Sequence, residues 1–260
     1  TVVSTGSNPS KLAIAADDSY IYAALNTAAF VRRFTLPALQ PDIDIPLGSD
    51  SYHSYGPYYA IDVAVDPTNP HTVAVSRGIA SISPHELGGI VLYDDAVARP
   101  QSLPGYSSMA PNIDSLLWNP NGQTLYGLDT ESTTGLFFIS AGSAGLQLPN
   151  SSFPTGLPFS GHINFDSTTG YLYTDGGQVI DPATQTVVGT FPLNSIQHGF
   201  GDFVVMVPDG KLNIAYFLGQ TVDNTNPTTY AIEAYDLTHF TFLGAIDIPN
   251  ISGTPSKLIR

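Results

Sequence analysis

The 260-residue chain has no cysteine, a single tryptophan and very little positive charge: Lys11, Lys211 and Lys257, with five arginines. Glutamate is almost as scarce. Only Glu86, Glu131 and Glu233 occur among the 22 acidic residues, and the rest are aspartate. Each scarcity excludes something. Without cysteine there is no disulfide framework, no thiol nucleophile and no thiolate-held metal. Eight basic residues against a net charge of −14 and a pI of about 4.4 cannot neutralise a run of phosphates, which excludes nucleic-acid partners and anionic membrane surfaces. No apolar run approaches the ~20 residues that span a bilayer. Residues Thr1 to Gly6 carry neither the charged nor the apolar region of a signal peptide. The shortage of Glu and Lys, together with 24 Gly and 21 Pro, argues against helices.

What is present is strand material. Fourteen Tyr and thirteen Phe sit among many Val, Ile and Thr, residues that fit a pleated, half-buried surface. One pattern recurs: an apolar strand, a turn of Asp, Asn, Pro or Gly, and a second strand with aromatic or small residues. It runs from Lys11 to Tyr22, from Ile61 to Val75, from Ser115 to Tyr126, from His162 to Tyr173 and from Phe203 to Ile214. A second pattern follows at fixed phase, as Phe34-Thr35-Leu36 before Ile43 to Pro46, Ile180-Asp181-Pro182 before Val187 to Pro192, and Tyr235-Asp236-Leu237 before Phe242 to Pro249.

Four strands in every ~45 residues predict an all-β chain, a β-propeller of four-stranded blades. A β-sandwich leaves the constant phase of the turn residues unexplained. The expected blades span 9–51, 52–105, 106–151, 152–192 and 193–249, with 250–260 opening a further one. Gly6 to Leu12 matches Gly253 to Ile259, so both ends read as partial blades. The expectation is a six- or seven-bladed ring completed by more of the same protein or by another chain.

The pieces Asn8-Pro9-Ser10-Lys11-Leu12-Ala13-Ile14, Tyr20-Ile21-Tyr22-Ala23-Ala24-Leu25, Val31-Arg32-Arg33-Phe34 and Ile180-Asp181-Pro182-Ala183-Thr184 resemble the bacterial and archaeal surface propellers with YVTN- or NHL-like repeats. The tetrad itself is replaced by Tyr22-Ala23-Ala24-Leu25. The resemblance covers nearly the whole chain and implies a secreted or cell-surface bacterial protein, often beside Ig-like domains. Similar propellers include lactonases, quinoprotein amine dehydrogenase subunits and adhesion modules, so a fold is implied and not a chemistry.

In a propeller the loops feeding the inner strands gather at the mouth of the central channel. These loops carry His53, Tyr55, Tyr58 and Tyr59, then Asn112, His162, His198 and Asp202, with Asp62 and Asp114 nearby. His53, His162 and His198 with Asp62, Asp114 and Asp202 are the available ligands for a transition metal, or for acid–base chemistry. Single strand-capping residues are the alternative, because no short His spacing occurs. Calcium held by carbonyls and aspartates would need no motif, although no cofactor is required by the sequence. Tyr52, Tyr55, Tyr58 and Tyr59 crowd around Gly56-Pro57, amphipathic rings suited to a sugar or a partner protein. Two long insertions, Arg77 to Gly89 and Gly219 to Thr229, interrupt the second and fifth blades. No G-x-S-x-G elbow, EF-hand loop or phosphate loop is found.

The reading that follows is an extracytoplasmic, non-enzymatic binding or structural module that contacts a glycan or protein through these loops. The alternatives are a lactonase-like hydrolase using a channel metal, and a passive scaffold within a multidomain surface protein.

Overall fold

The computed structural model describes residues 4–6, 8–50, 54–80, 82, 88–105, 113–130, 135–148, 161–193, 196, 204–221, 229–249, 251, 253, 255 and 258–259. None of the described residues is helical, so no helix among them is long and apolar enough to cross a membrane. Five four-stranded antiparallel sheets and one two-stranded ribbon make up the fold, a multi-blade β-propeller. The chain divides into two compact units, Thr1–Pro154 and Thr155–Arg260.

The first unit holds three blades. Blade 1 consists of β1 (Pro9–Ile14), β2 (Tyr20–Leu25), β3 (Phe30–Thr35) and β4 (Gln40–Pro46). The ribbon β5 (Ser49–Asp50) and β6 (Gly56–Pro57) leads into blade 2, formed by β7 (Tyr59–Val65), β8 (Thr72–Gly78), β9 (Gly89–Asp94) and a two-residue outer strand, β10 (Val97–Ala98). Blade 3 is β11 (Ser115–Trp118), β12 (Thr124–Asp129), β13 (Gly135–Gly142) and β14 (Gly145–Gln147). The second unit holds blade 4, with β15 (Ile163–Phe165), β16 (Leu172–Thr174), β17 (Gln178–Asp181) and β18 (Thr186–Thr190). Blade 5 comprises β19 (Val204–Asp209), β20 (Ile214–Gln220), β21 (Tyr230–Asp236) and β22 (Phe242–Ile248).

Blade 2 shows why the middle strands are apolar on both faces. Side chains alternate across a strand. Val73, Val75, Val91 and Tyr93 therefore pack on Tyr22, Val31 and Ile45 of blade 1. Their neighbours Ala74, Ile90 and Leu92 pack on Leu116, Trp118, Leu125 and Phe137 of blade 3. Outer strands obey no such demand: β4, β18 and β22 are mostly exposed. In the second unit Phe191 is the hub, with edge-on contacts to Phe217 at 5.2 Å, Tyr235 at 5.5 Å and Phe240 at 5.3 Å.

Polar stitches cross each of these seams. An inner strand has a ladder partner on one side only, so its outward N–H groups need another acceptor. The Leu116 N–H of blade 3 donates to Asp62 of blade 2 at 2.7 Å, and the Met206 N–H of blade 5 donates to Asp175 of blade 4 at 2.9 Å. Trp118 Nε1–H donates to the Ala64 carbonyl at 2.9 Å, and Tyr22 hydroxyl to the Pro70 carbonyl at 2.7 Å.

The first turns of successive blades also interlock. Asp66 folds its own turn by accepting the Thr68 N–H and hydroxyl, and this pair sits against Gly122 of the next blade. Asp166 likewise accepts Thr168 and Thr169 N–H, then reaches Gly210 N–H of the next blade at 3.0 Å.

A charged lock closes the seam between blades 1 and 2. Arg33, only 4% exposed, donates to Asp42 at 2.6 Å and to Asp95 at 2.5 Å, and lies 4.2 Å above the Tyr20 ring. His71 joins Asp95 at 2.8 Å. The imidazole contact and then the guanidinium hold the Asp95 carboxyl below the usual aspartate range.

The interlocked turns predict an asymmetry between glycines. A Cβ at Gly210 would stand 2.2 Å from Asp166 Oδ1 and 2.7 Å from Thr168 Cβ, whereas one at Gly244 meets nothing within 4 Å. Gly210→Ala should lower the stability of the second unit by about 1–3 kcal/mol in urea denaturation, with Gly244→Ala close to neutral. Equal effects would show that the Asp166–Gly210 contact carries no strain.

Candidate functional site

The loop between blades 1 and 2 is built from backbone geometry first. Ser54 and Gly56 have φ of 59° and 114°, so the chain reverses sharply between β5 and β6. Ser49 pairs with Pro57 and Asp50 with Gly56. The Asp50 carboxylate accepts the Tyr55 N–H at 3.3 Å, and Tyr58 N–H donates to the Gly48 carbonyl at 3.0 Å. The ribbon thus holds Tyr55 outward, with 41% of its surface exposed.

Tyr58 and Tyr59 are half-buried. Tyr58 packs on the core shared by blades 1 and 2, and its ring carries the Arg77 guanidinium at 4.5 Å, a cation–π distance. Tyr59 opens β7, paired with Gly78. Arg77 itself lies at the end of β8, where the insertion begins. Its Nη1 donates to the Leu47 carbonyl at 3.1 Å and its Nη2 to the Gly88 carbonyl at 2.6 Å. The sequence pattern marked this arginine only as the edge of an insertion; its stacking on Tyr58 depends on the β7–β8 pairing.

In the second unit, His162 stands just before β15 and is about half exposed, its Nδ1 lying 3.0 Å from Asp175 Oδ2. Asp175 is 1% exposed and follows β16. It is the same carboxylate that receives Met206 N–H, so one side chain orients the imidazole and closes the seam to blade 5. Burial, opposed by the His162 contact and the Met206 N–H, leaves its carboxyl above the ordinary aspartate range. Nothing in the local sequence Tyr173-Thr174-Asp175-Gly176-Gly177 marks this residue apart from other turn aspartates.

The remaining sequence candidates divide cleanly. Asp62 accepts the Leu116 N–H, and Asp114 accepts the Thr130 N–H at 2.5 Å and its hydroxyl at 2.6 Å, so both carboxylates are engaged in holding backbone. His53, Asn112, His198 and Asp202 lie outside the described residues. Among the described residues no three His, Asp or Glu side chains come together in a way that could hold a metal ion. Ser115 is buried at 4% exposure, unlike an activated nucleophile.

No protein-family model matches the chain, and no curated protein matches it. Solved structures do. Dihydro-heme d1 dehydrogenase NirN in complex with DHE matches with a TM-score of 0.62 at 16% identity over 94% of this chain and 48% of that one. The chain therefore spans about half the length of that neighbour. A nidogen/laminin complex matches with a TM-score of 0.52 at 15% identity, covering 91% of this chain and 79% of the other. A TolB protein from Agrobacterium tumefaciens gives 0.56 at 12% identity, covering 94% and 82%. All three are β-propellers; at these identities the likeness establishes the fold alone.

The buried carboxylate gives a pH dependence with a definite sign. Because Asp175 titrates higher in the folded chain than at the unfolded value of about 3.9, its contribution to stability is full below about pH 4. It is lost as pH rises through the raised value. In Asp175→Asn the amide retains an acceptor for Met206 N–H but does not titrate. The melting temperature of the variant, relative to the parent, should rise between about pH 3 and pH 7. Parallel melting curves would remove the argument for a strained carboxylate.

Proposed function

We propose that the protein is an extracytoplasmic, non-enzymatic β-propeller module that binds a glycan or protein partner through the loop between blades 1 and 2. The observation that carries this reading is Tyr55, an exposed aromatic ring whose backbone is fixed by the β5–β6 ribbon and by Asp50. Ordering a mobile loop costs free energy on binding, and a ring already held outward avoids much of that cost. Tyr58 and Tyr59 extend the same segment toward the sheet. Two neighbours support a binding use of the fold: one is a two-protein complex, and another was solved with DHE. A net charge of −14 keeps such a module soluble and rules out partners that are themselves polyanionic along their length.

A second reading, a hydrolase, is favoured by His162. A buried carboxyl on Nδ1 fixes the orientation of the ring and leaves Nε2 toward solvent, the arrangement that metal ligands and general bases use. Calcium or a transition metal remains the cofactor class for that reading. A passive scaffold within a longer surface protein is the third, and it leaves the exposed Tyr55 without a role.

Screening the whole chain against immobilised glycans and extracellular-matrix proteins distinguishes these readings. Ligand capture should fall at least tenfold in Tyr55→Ala, while stability to denaturant changes by no more than about 0.5 kcal/mol, as for other exposed sites. Capture unaffected by Tyr55→Ala would overturn this site. Turnover of lactones or esters that is lost in His162→Ala would favour the hydrolase.

A further inference from the structure

Each described seam joins the trailing face of one blade to the leading face of the next. The leading face can be followed residue by residue, because the N–H that closes the first turn belongs to Ala15 in blade 1, Asp66 in blade 2 and Asn119 in blade 3. Three positions and one position before it stand Leu12 and Ile14, Val63 and Val65, and Leu116 and Trp118. Val63 is buried and packs with Val65 on blade 1. Leu116 and Trp118 are buried and pack on Ala74 and Leu92 of blade 2. Leu12 and Ile14, at the same two positions of blade 1, are 64% and 57% exposed. The trailing face of blade 5 is open in the complementary way. There Tyr216 pairs with Val207 and Ile232 with Ile246, as Tyr22 pairs with Ala13 and Val31 with Ile45 in blade 1. Tyr22, Val31 and Ile45 are wholly buried in the core shared with blade 2. Ile246 is 72% exposed, and Tyr216 and Ile232 are half-buried.

We infer that a second copy of the chain covers both faces, the leading face of blade 1 in one molecule seating on the trailing face of blade 5 in the next. One occupant satisfies both because these faces are the two halves of a seam that the fold already builds between blades 1 and 2, 2 and 3, and 4 and 5. Exposed apolar positions grouped on one sheet face mark an interaction surface. In the free chain Leu258 holds part of the trailing face, packed with Val205, Leu218 and Tyr230. It stands in the run Pro255-Ser256-Lys257-Leu258, which repeats Pro9-Ser10-Lys11-Leu12, so Leu12 of the incoming molecule takes its place like for like. Exchange of matching segments between copies is a low-cost route to association. No charged side chain lies among Leu12, Ile14, Tyr216, Ile232 and Ile246, so no ion has to be desolvated at these positions. The net charge of −14 sets the copies against each other at long range, yet at physiological salt that repulsion fades over ~8 Å. The contact is heterologous, so copies add head to tail until a ring closes.

The test is sedimentation velocity of the whole chain over a range of protein and salt concentrations. Oligomers should grow with protein concentration and strengthen as salt rises, because screening removes the repulsion between acidic copies. Ile14→Asp and Ile246→Asp should each weaken association by about tenfold or more, since each places an unpaired charge in the contact. An equal mixture of the two variants should recover a dimer and nothing larger, because each keeps the face that the other has lost. A contact between like faces would not be rescued by mixing. The chain has no cysteine of its own, so a second measurement stands even if the aspartate variants fold poorly. Ile14→Cys mixed with Ile246→Cys under mild oxidation should give the mixed disulfide in preference to either like pair. A monomer at every concentration, association that weakens as salt rises, or cross-links between like variants would overturn the inference. None of these outcomes bears on ligand capture at Tyr55, which the glycan and protein screen decides by itself.

Discussion

An inner strand with a ladder partner on only one side is the constraint from which the rest of this structure follows. Its outward N–H groups lie beside apolar packing and cannot be left without acceptors. The preceding blade provides them as carboxylates: Asp62 for Leu116, and Asp175 for Met206. Placing a carboxylate there requires the two blades to be in register, which also brings Ala64 to Trp118 and seats the Asp66 turn on Gly122. Hydrophobic burial supplies most of the driving force across each seam. It is indifferent to small slides, whereas the hydrogen bonds are not.

This economy explains where charge appears. Most described ionisable groups are consumed by local architecture. Arg33 is neutralised twice, Arg99 is clamped to Asp94, and Asp166 is saturated by backbone N–H groups. Against that background the side chains that stand out are those whose surroundings do less for them. Tyr55 is exposed though large and aromatic, His162 is exposed though held by a buried acid, and Arg77 is charged without a counter-charge among the described residues. The first and third lie on one short stretch of fold, between β5 and the end of β8, which is why the binding reading centres there.

The repeat was legible because propeller turns place demands on particular residues. Asp66, Asn119, Asp166 and Asp209 open the first turns of four blades. Each uses its side chain on backbone N–H groups two or three residues on, or in Asp209 on Leu212. Tyr22, Tyr126 and Tyr173, one in the second strand of each of three blades, are all buried. The candidate site was legible only in part. Crowded tyrosines pointed to the Tyr55 segment, but the ribbon that displays it was not visible in Gly56-Pro57. Asp175 went unmarked because its role is defined by Met206, 31 positions away, and Arg33 because Asp95 is 62 positions away. Asp62 and Asp114 drew notice as ligands for a metal, and in the structure each carboxylate accepts a backbone N–H.

The sequence by itself determined that the chain is all-β, repeats in four-stranded blades, and carries a strongly negative net charge. Those properties depend on local propensity, turn chemistry and summed charge, all of which are read along the chain. Tertiary structure alone decided which charges are compensated, which aromatic is displayed and which carboxylate is buried. Such properties arise where strands from different repeats meet, because burial and hydrogen bonding depend on neighbours in space rather than in order.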